Sequence, residues 1–282
     1  MRVLVAILLG GLTSALYALS TSLQALEARR TPADTALRAK LLEALARRRL
    51  WLFGTACGLI AWPLQALALS LASVAIVQPA LGLGLIVLLV LGVLLLHERI
   101  GPRELAGALS IAVAIAVLGW AAPPETGAFT RGGQIVVVAL LAVAAGGPYL
   151  LRALGRADGL ATSIAAGVAW AAVGLATALI DGALAERHWL AALAWGTGAA
   201  GAGWSGLLSE MSALQRWPAT RSIPVVFGIE MALPAALAPI VTKTSPGHTT
   251  SFVAALGMAL GGAVLLGSSR AVARAAQPLT AP

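Results

Sequence analysis

Charge is what this chain has least of. Asp, Glu, Lys and Arg make up 11% of its 282 residues, where a soluble domain carries about 25%. Hydrophobic residues make up 59%, and the mean hydropathy is +0.91. A chain this long could bury a large soluble core, but it has too few polar side chains to cover one. An ordinary soluble globule is thereby excluded, and lipid is the solvent. There is a single cysteine, Cys57, so no disulfide can form within the chain. The three histidines, His97, His188 and His248, are scattered and have no cysteine cluster beside them, which excludes zinc-type ligand spacing. No P-loop is present. No Ser/His/Asp or metal constellation can be assembled from the apolar segments, so the sequence reads as neither an enzyme nor a cofactor carrier. The net charge of +8 would point to nucleic acid in a soluble protein. In a membrane protein basic residues gather on the cytoplasmic side instead, so no nucleic-acid partner is expected.

What is abundant is apolar length. A helix needs roughly 20 apolar residues to cross about 30 Å of hydrocarbon. Nine segments qualify, near 3–24, 51–72, 74–96, 103–121, 133–152, 159–182, 188–212, 222–242 and 250–268. The apolar stretch from Trp51 to Leu96 is too long for one span and is expected to turn around "LSLASV", residues 69 to 74. With the N-terminus outside, the odd-numbered connections and the C-terminal tail hold all of the 19 Lys and Arg except Arg2, Arg131, Arg187 and Lys243. The positive-inside rule therefore predicts nine spans in the cytoplasmic membrane, N-terminus out and C-terminus in. Trp51, Trp120, Trp189 and Trp217 fall at span ends, where an indole suits the headgroups, and Trp62, Trp170, Trp195 and Trp204 fall inside spans as packing residues. The first span also has the form of a signal peptide, with "ALS" as a cleavage site. That alternative leaves the rest of the topology unchanged.

One long polar stretch stands out, "TPADTALRAKLLEALARRRL", residues 31 to 50. Thr31, Pro32 and Asp34 form a helix-start signal. Leu37, Leu41, Leu42 and Leu45 make one stripe, with Arg38, Lys40, Arg47, Arg48 and Arg49 mostly off it. This pattern predicts a helix lying in the cytoplasmic interface, its leucines in lipid and its charges toward anionic headgroups.

Residues 74–119 and 219–267 share a layout. A shift of 145 sets Pro79 on Pro224 and Glu98 on Lys243, and a shift of 148 sets Gly119 on Gly267. The first tight turn lies outside and the second inside, so the copies are inverted, as in many transporters. The reading is an all-α, polytopic membrane bundle of nine helices in two inverted halves. Residues 1–121 hold four spans and the 31–50 helix, and residues 133–282 hold five spans. The stretch "ASVAIVQPALGLGLIVLLVLGVLLLHERIGPRELAGALSIAVAIAVLG" resembles the drug/metabolite transporter superfamily, EamA-like group, through Glu98, Arg99, Gly107 and Gly119. That group usually has five helices per half. The 4+5 plan, with "LQALEARR" after the first helix, is similar to the NIPA-type magnesium transporter branch and its bacterial relatives. The resemblance implies a transporter and raises magnesium as a substrate.

Polar residues inside spans are the candidate site. A charge near mid-bilayer costs about 2.5–3.5 kcal/mol on insertion scales, so Glu230, in "VVFGIEMALPAAL", is expected to face a cavity or a partner. Pro234 lacks an N–H and frees the carbonyl of residue 230, which suits a cation or a proton at that depth. Glu230 is thus a candidate metal ligand or proton carrier. Glu210 is a candidate gate, or an interfacial carboxylate near Arg216 or Arg221. Thr13, Tyr17, Ser20 and Gln24 share one face of the first helix, lining a pathway or bonding to neighbouring helices. Gln65 with Pro63, and Gln78 with Pro79, mark helix breaks that either line a cavity or satisfy freed carbonyls. "GTGAAG", residues 196 to 201, matches a dinucleotide fingerprint, but no strand precedes it. Close helix packing through Gly198, Gly201, Ser205 and Ser209 is the expected use.

The sequence thus reads as a secondary transporter of a small solute or cation, with the bilayer and a coupling proton as its other partners and a homodimer left open. The alternatives are a NIPA-like magnesium transporter and a membrane scaffold subunit that transports nothing.

Overall fold

The computed structural model describes residues 2–72, 74–121, 128–156, 158–244 and 247–267, with the backbone alone at 74–76, 78, 79 and 267. The described residues form helices and no strand. In order they are α1 (Arg2–Ala28), a 3-10 turn (Ala33–Thr35), α2 (Ala39–Ala46), α3 (Arg49–Leu71), α4 (Val74–Leu94), α5 (Pro102–Ala121), α6 (Arg131–Ala153), α7 (Gly159–Ala185), α8 (Trp189–Arg216), α9 (Ala219–Val241) and α10 (Thr249–Gly267). All except α2 and the 3-10 turn coincide with the nine apolar segments, and the break expected near 69–74 falls between Leu71 and Val74. Seven of them, α1, α3, α5, α6, α7, α9 and α10, are long and apolar enough to cross a membrane. In α8, glycines and polar side chains dilute the apolarity. The outer faces are apolar as well, with Leu8, Leu59, Val143, Leu190 and Val264 all exposed. The chain is a polytopic membrane helical bundle.

Local sequence sets several helix boundaries. Thr130 caps α6 by accepting from the Gly133 N–H at 2.9 Å, and Asp158 caps α7 by accepting from Ala161 at 2.9 Å. Both satisfy donors that a helix start leaves open. Gly155, at φ +67, follows α6, the left-handed position that glycine fills without cost after a helix.

Successive long helices alternate in direction, and contacts at each end show it. At one end Arg29 pairs with Glu98, Arg48 with Glu27, and Gln215 with Thr31. At the other, Thr130 donates to the Val241 carbonyl and Gly247 to that of Ala121. Most of the basic residues lie at the first end, here called the basic end, and Arg2, Arg131, Arg187 and Lys243 lie at the other.

Small residues allow the close crossings. A Cβ on Gly262 would sit 2.8 Å from the Gly107 carbonyl, and one on Gly107 would sit 2.8 Å from Leu266 Cγ. These two glycines bring α5 and α10 together. In the glycine-rich part of α8, Gly198 faces Leu141 and the Ser205 hydroxyl donates to the Ala145 carbonyl at 3.1 Å. Gly201 departs from the expected packing: it is exposed, with open space beside it.

The 31–50 segment corrects a second expectation. Leu37, Leu41 and Leu45 are fully buried, and Leu42 nearly so. Leu41, Leu42 and Leu45 share an apolar cluster with Trp51, Leu208, Met211, Leu214 and Trp217. The stripe therefore packs on protein rather than lipid, while Lys40, Glu43 and Arg47 face outward. An amphipathic stripe specifies an apolar partner, and here the ends of α3 and α8 supply it. The tryptophans shift for the same reason. Trp51 and Trp217 are buried in this cluster rather than free at headgroups, whereas Trp62 and Trp204 point outward instead of packing inside.

Candidate functional site

Glu230 and Tyr17 each lie eleven residues from the basic end of their helices, counted from Ala219 in α9 and from Ala28 in α1. At 1.5 Å per residue both sit about 16 Å deep. Glu210 is six residues from the end of α8 at Arg216, so about 9 Å deep. The three side chains form one electrostatic neighbourhood, in which Glu210 acts on Glu230 and Glu230 acts on Tyr17. All three are half-buried.

The two acids are held differently. The Trp170 indole N–H donates to Glu210 Oε2 at 2.8 Å, which ties Glu210 to α7. Neither arginine expected beside Glu210 is bonded to it. Arg216 donates to the Ala33 carbonyl and Arg221 to Glu104. Glu230 has no hydrogen-bond partner among the described residues. Pro234 lies inside α9, which stays helical through Pro224, Pro234 and Pro239, so the Glu230 carbonyl also lacks its usual N–H. A free carboxyl and a free carbonyl thus belong to one residue. Two negative charges in a weakly polar interior repel strongly, and a proton or a cation between them relieves that repulsion.

The polar face of α1 divides. Gln24 donates to Thr55 Oγ1 at 3.2 Å, and a Cβ on Gly58 would sit 3.0 Å from Ser20 Oγ. Both therefore serve the α1–α3 contact. Thr13 is fully buried and its hydroxyl has no partner among the described residues, and the same holds for Ser209. Gln65 is half-buried, and Pro63 is exposed on α3. Gln78 and Pro79 lie within α4, but their side chains are outside the described residues. Among the described residues no group of three His, Cys, Asp or Glu gathers, so a metal at Glu230 would draw most of its oxygens from hydroxyls, carbonyls or water. Two surface hollows, one lined by Lys40, Glu43, Ala44 and Arg47 and the other by Arg187 to Ala191, do not touch the acids.

Sequence reasoning missed Trp170 as a partner of Glu210 and also missed the ionic layer at the basic end. There Glu98, almost fully buried, accepts from Arg29, from the Ala219 N–H at 2.7 Å and from the Thr220 N–H at 2.9 Å. Glu104 accepts from Arg221 with both side chains buried, and it also accepts from the Gly101 N–H at 2.9 Å, the reach-back half of a capping box. Glu27 accepts from Arg30 and Arg48, each at 2.8 Å. The first turn of α9 is therefore gripped by two acids, Glu98 from the connection between α4 and α5 and Glu104 from the first turn of α5. No family model matches the chain, and no curated protein or solved structure is similar to it.

Proposed function

We propose that the chain is a secondary transporter that moves a small solute or cation across the cytoplasmic membrane by alternating access. The observation that carries the reading is Glu230, a carboxyl about 16 Å deep in an apolar helix with no hydrogen-bond partner among the described residues, electrostatically linked to Glu210 and Tyr17. An intramembrane acid in such surroundings marks an ion or substrate path by default.

Packing supports two inverted halves of four and five spans. Helix α1 packs most on α3 and α4, as α7 packs most on α8 and α9. Gly10 is the ninth residue of α1, and Gly167 the ninth of α7. A Cβ on Gly10 would lie 3.7 Å from the Val77 carbonyl of α4, and one on Gly167 would lie 2.9 Å from the Val226 carbonyl of α9. The pairs α1/α7, α3/α8, α4/α9 and α5/α10 run in opposite directions, which leaves α6 as the unmatched helix. The resemblance through Glu98, Arg99, Gly107 and Gly119 agrees with this reading, and the basic end is then the cytoplasmic one.

The test is uptake into proteoliposomes of Mg²⁺, amino acids and organic cations, with and without a pH gradient. For the probe that is carried, Glu230→Gln is expected to lower uptake at least about 10-fold, since the loss of a charged group at the site removes more than one hydrogen bond's worth of binding. Unchanged uptake with unchanged pH dependence would sink the role. A second reading is a scaffold subunit that transports nothing. Flux of no probe would select it.

A further inference from the structure

The segment between α1 and α3 covers the basic end of the acid site. Leu37, fully buried, is tied by its N–H to Ser212 near the end of α8, and the fully buried Leu41 and Leu45 share an apolar cluster with the last turns of α8. One of the residues they share a cluster with is Leu214, four residues from Glu210 toward the basic end and so on the same helix face. The apolar seat thus lies directly between Glu210 and that end.

What fastens the segment is polar and local. Gln215 donates to Thr31 Oγ1 at 2.7 Å and to Thr35 Oγ1 at 3.2 Å. Arg216 donates to the Ala33 carbonyl at 3.2 Å, and the Leu37 N–H donates to Ser212 Oγ at 2.8 Å. Leu37 holds φ +55, a left-handed conformation that crowds the Cβ of a leucine against the following carbonyl. A strained residue at the start of an eight-residue helix, in a segment fastened by a few hydrogen bonds to α8 and at its far end by Arg48 to Glu27, has the build of a hinge.

We propose that residues 31–48 form a hinged plug that seals the basic end of the Glu210–Glu230 site and leaves its seat when that end opens. The route that it closes rests on the transporter reading, whereas the seal itself is tested without any substrate. The reporter is Ser209→Cys in a Cys57→Ser background. Ser209 is fully buried with a hydroxyl unpartnered among the described residues, so the thiol replaces it without losing a hydrogen bond. An impermeant maleimide is applied from either side of oriented vesicles. Labelling from the basic side is expected to be slow in the parent and at least about 10-fold faster with Leu41→Asp, because a carboxylate cannot stay in that seat unpaired. Gln215→Ala, which keeps the leucine seat and the fold, is expected to fall between. Labelling from the opposite side should not change, which separates an opened plug from general unfolding. Equal basic-side rates in all three proteins, or equal acceleration from both sides, would overturn the plug. Faster basic-side labelling with no flux of any probe would leave the plug standing and remove the transporter reading.

Discussion

Glu98→Ala is expected to destabilise the bundle by about 2–5 kcal/mol, as the loss of a helix cap (about 0.5–2 kcal/mol) adds to the loss of charged hydrogen bonds (about 1.5–3 kcal/mol). The Glu98 carboxylate ends four interactions at once. It accepts from Arg29, from the first two N–H groups of α9 and from the Thr220 hydroxyl. The negative charge also stands at the positive end of the α9 dipole. Alanine leaves the two N–H groups and the hydroxyl without that acceptor beside a side chain only 5% exposed. Arg29→Gln should cost less, because the arginine side chain is 29% exposed against 5% for Glu98 and water replaces part of what it loses. Unfolding of the three proteins in one detergent, by heat or denaturant, checks the order parent, Arg29→Gln, Glu98→Ala. If the two variants are equally stable, the ion pair alone matters and the cap contributes nothing. Glu98 belongs to the connection between α4 and α5, yet it caps α9, the helix that carries Glu230. Its loss should therefore also loosen the site.

The helices were legible in the sequence because lipid simplifies the problem. Sustained apolar length is enough to specify a long helix, and seven of the helices among the described residues are long and apolar enough to cross a membrane. Facing was not legible, because lipid and protein interior are equally apolar. The leucines at 37, 41, 42 and 45 announce an apolar partner without saying which, and Trp51 and Trp62 exchange their expected roles for the same reason. Glu230 could be singled out because an acid in an apolar span is costly wherever the helix points. Its surroundings could not be read. Trp170 meets Glu210 across 40 residues of sequence, and Arg221 meets Glu104 across 117. Pairings of that kind depend on where helices cross, which single-chain periodicity does not encode. For Arg221 the sequence held a hint, since an arginine in the first turn of an apolar helix needs an acid nearby. Several acids were available, and nothing in the spacing selected Glu104.

Gly133→Ala should be strongly damaging for a single added methyl, and its neighbour supplies the control. A Cβ on Gly133 would lie 2.2 Å from the Val241 carbonyl oxygen and 2.7 Å from Val241 Cα. These are backbone atoms, which cannot swing aside as a side chain can. The same carbonyl accepts from the Thr130 N–H at 2.9 Å, and Thr130 in turn caps α6 through the Gly133 N–H at 2.9 Å. One methyl therefore forces apart the start of α6 and the end of α9 and strains the cap as well. Overpacking of this kind costs about 1–3 kcal/mol, and a backbone-to-backbone clash belongs at the top of that range. Alanine's helix preference over glycine, about 1 kcal/mol at most, does not offset it. Gly132 is one residue away, with only Thr130 Oγ1 at 3.9 Å near its missing Cβ. Gly132→Ala is therefore expected to match the parent or exceed it slightly. Thermal unfolding of the two variants side by side isolates the contact, since both make the same chemical change in the same helical turn. If Gly133→Ala is as stable as Gly132→Ala, α6 and α9 do not meet as closely as the 2.2 Å approach requires.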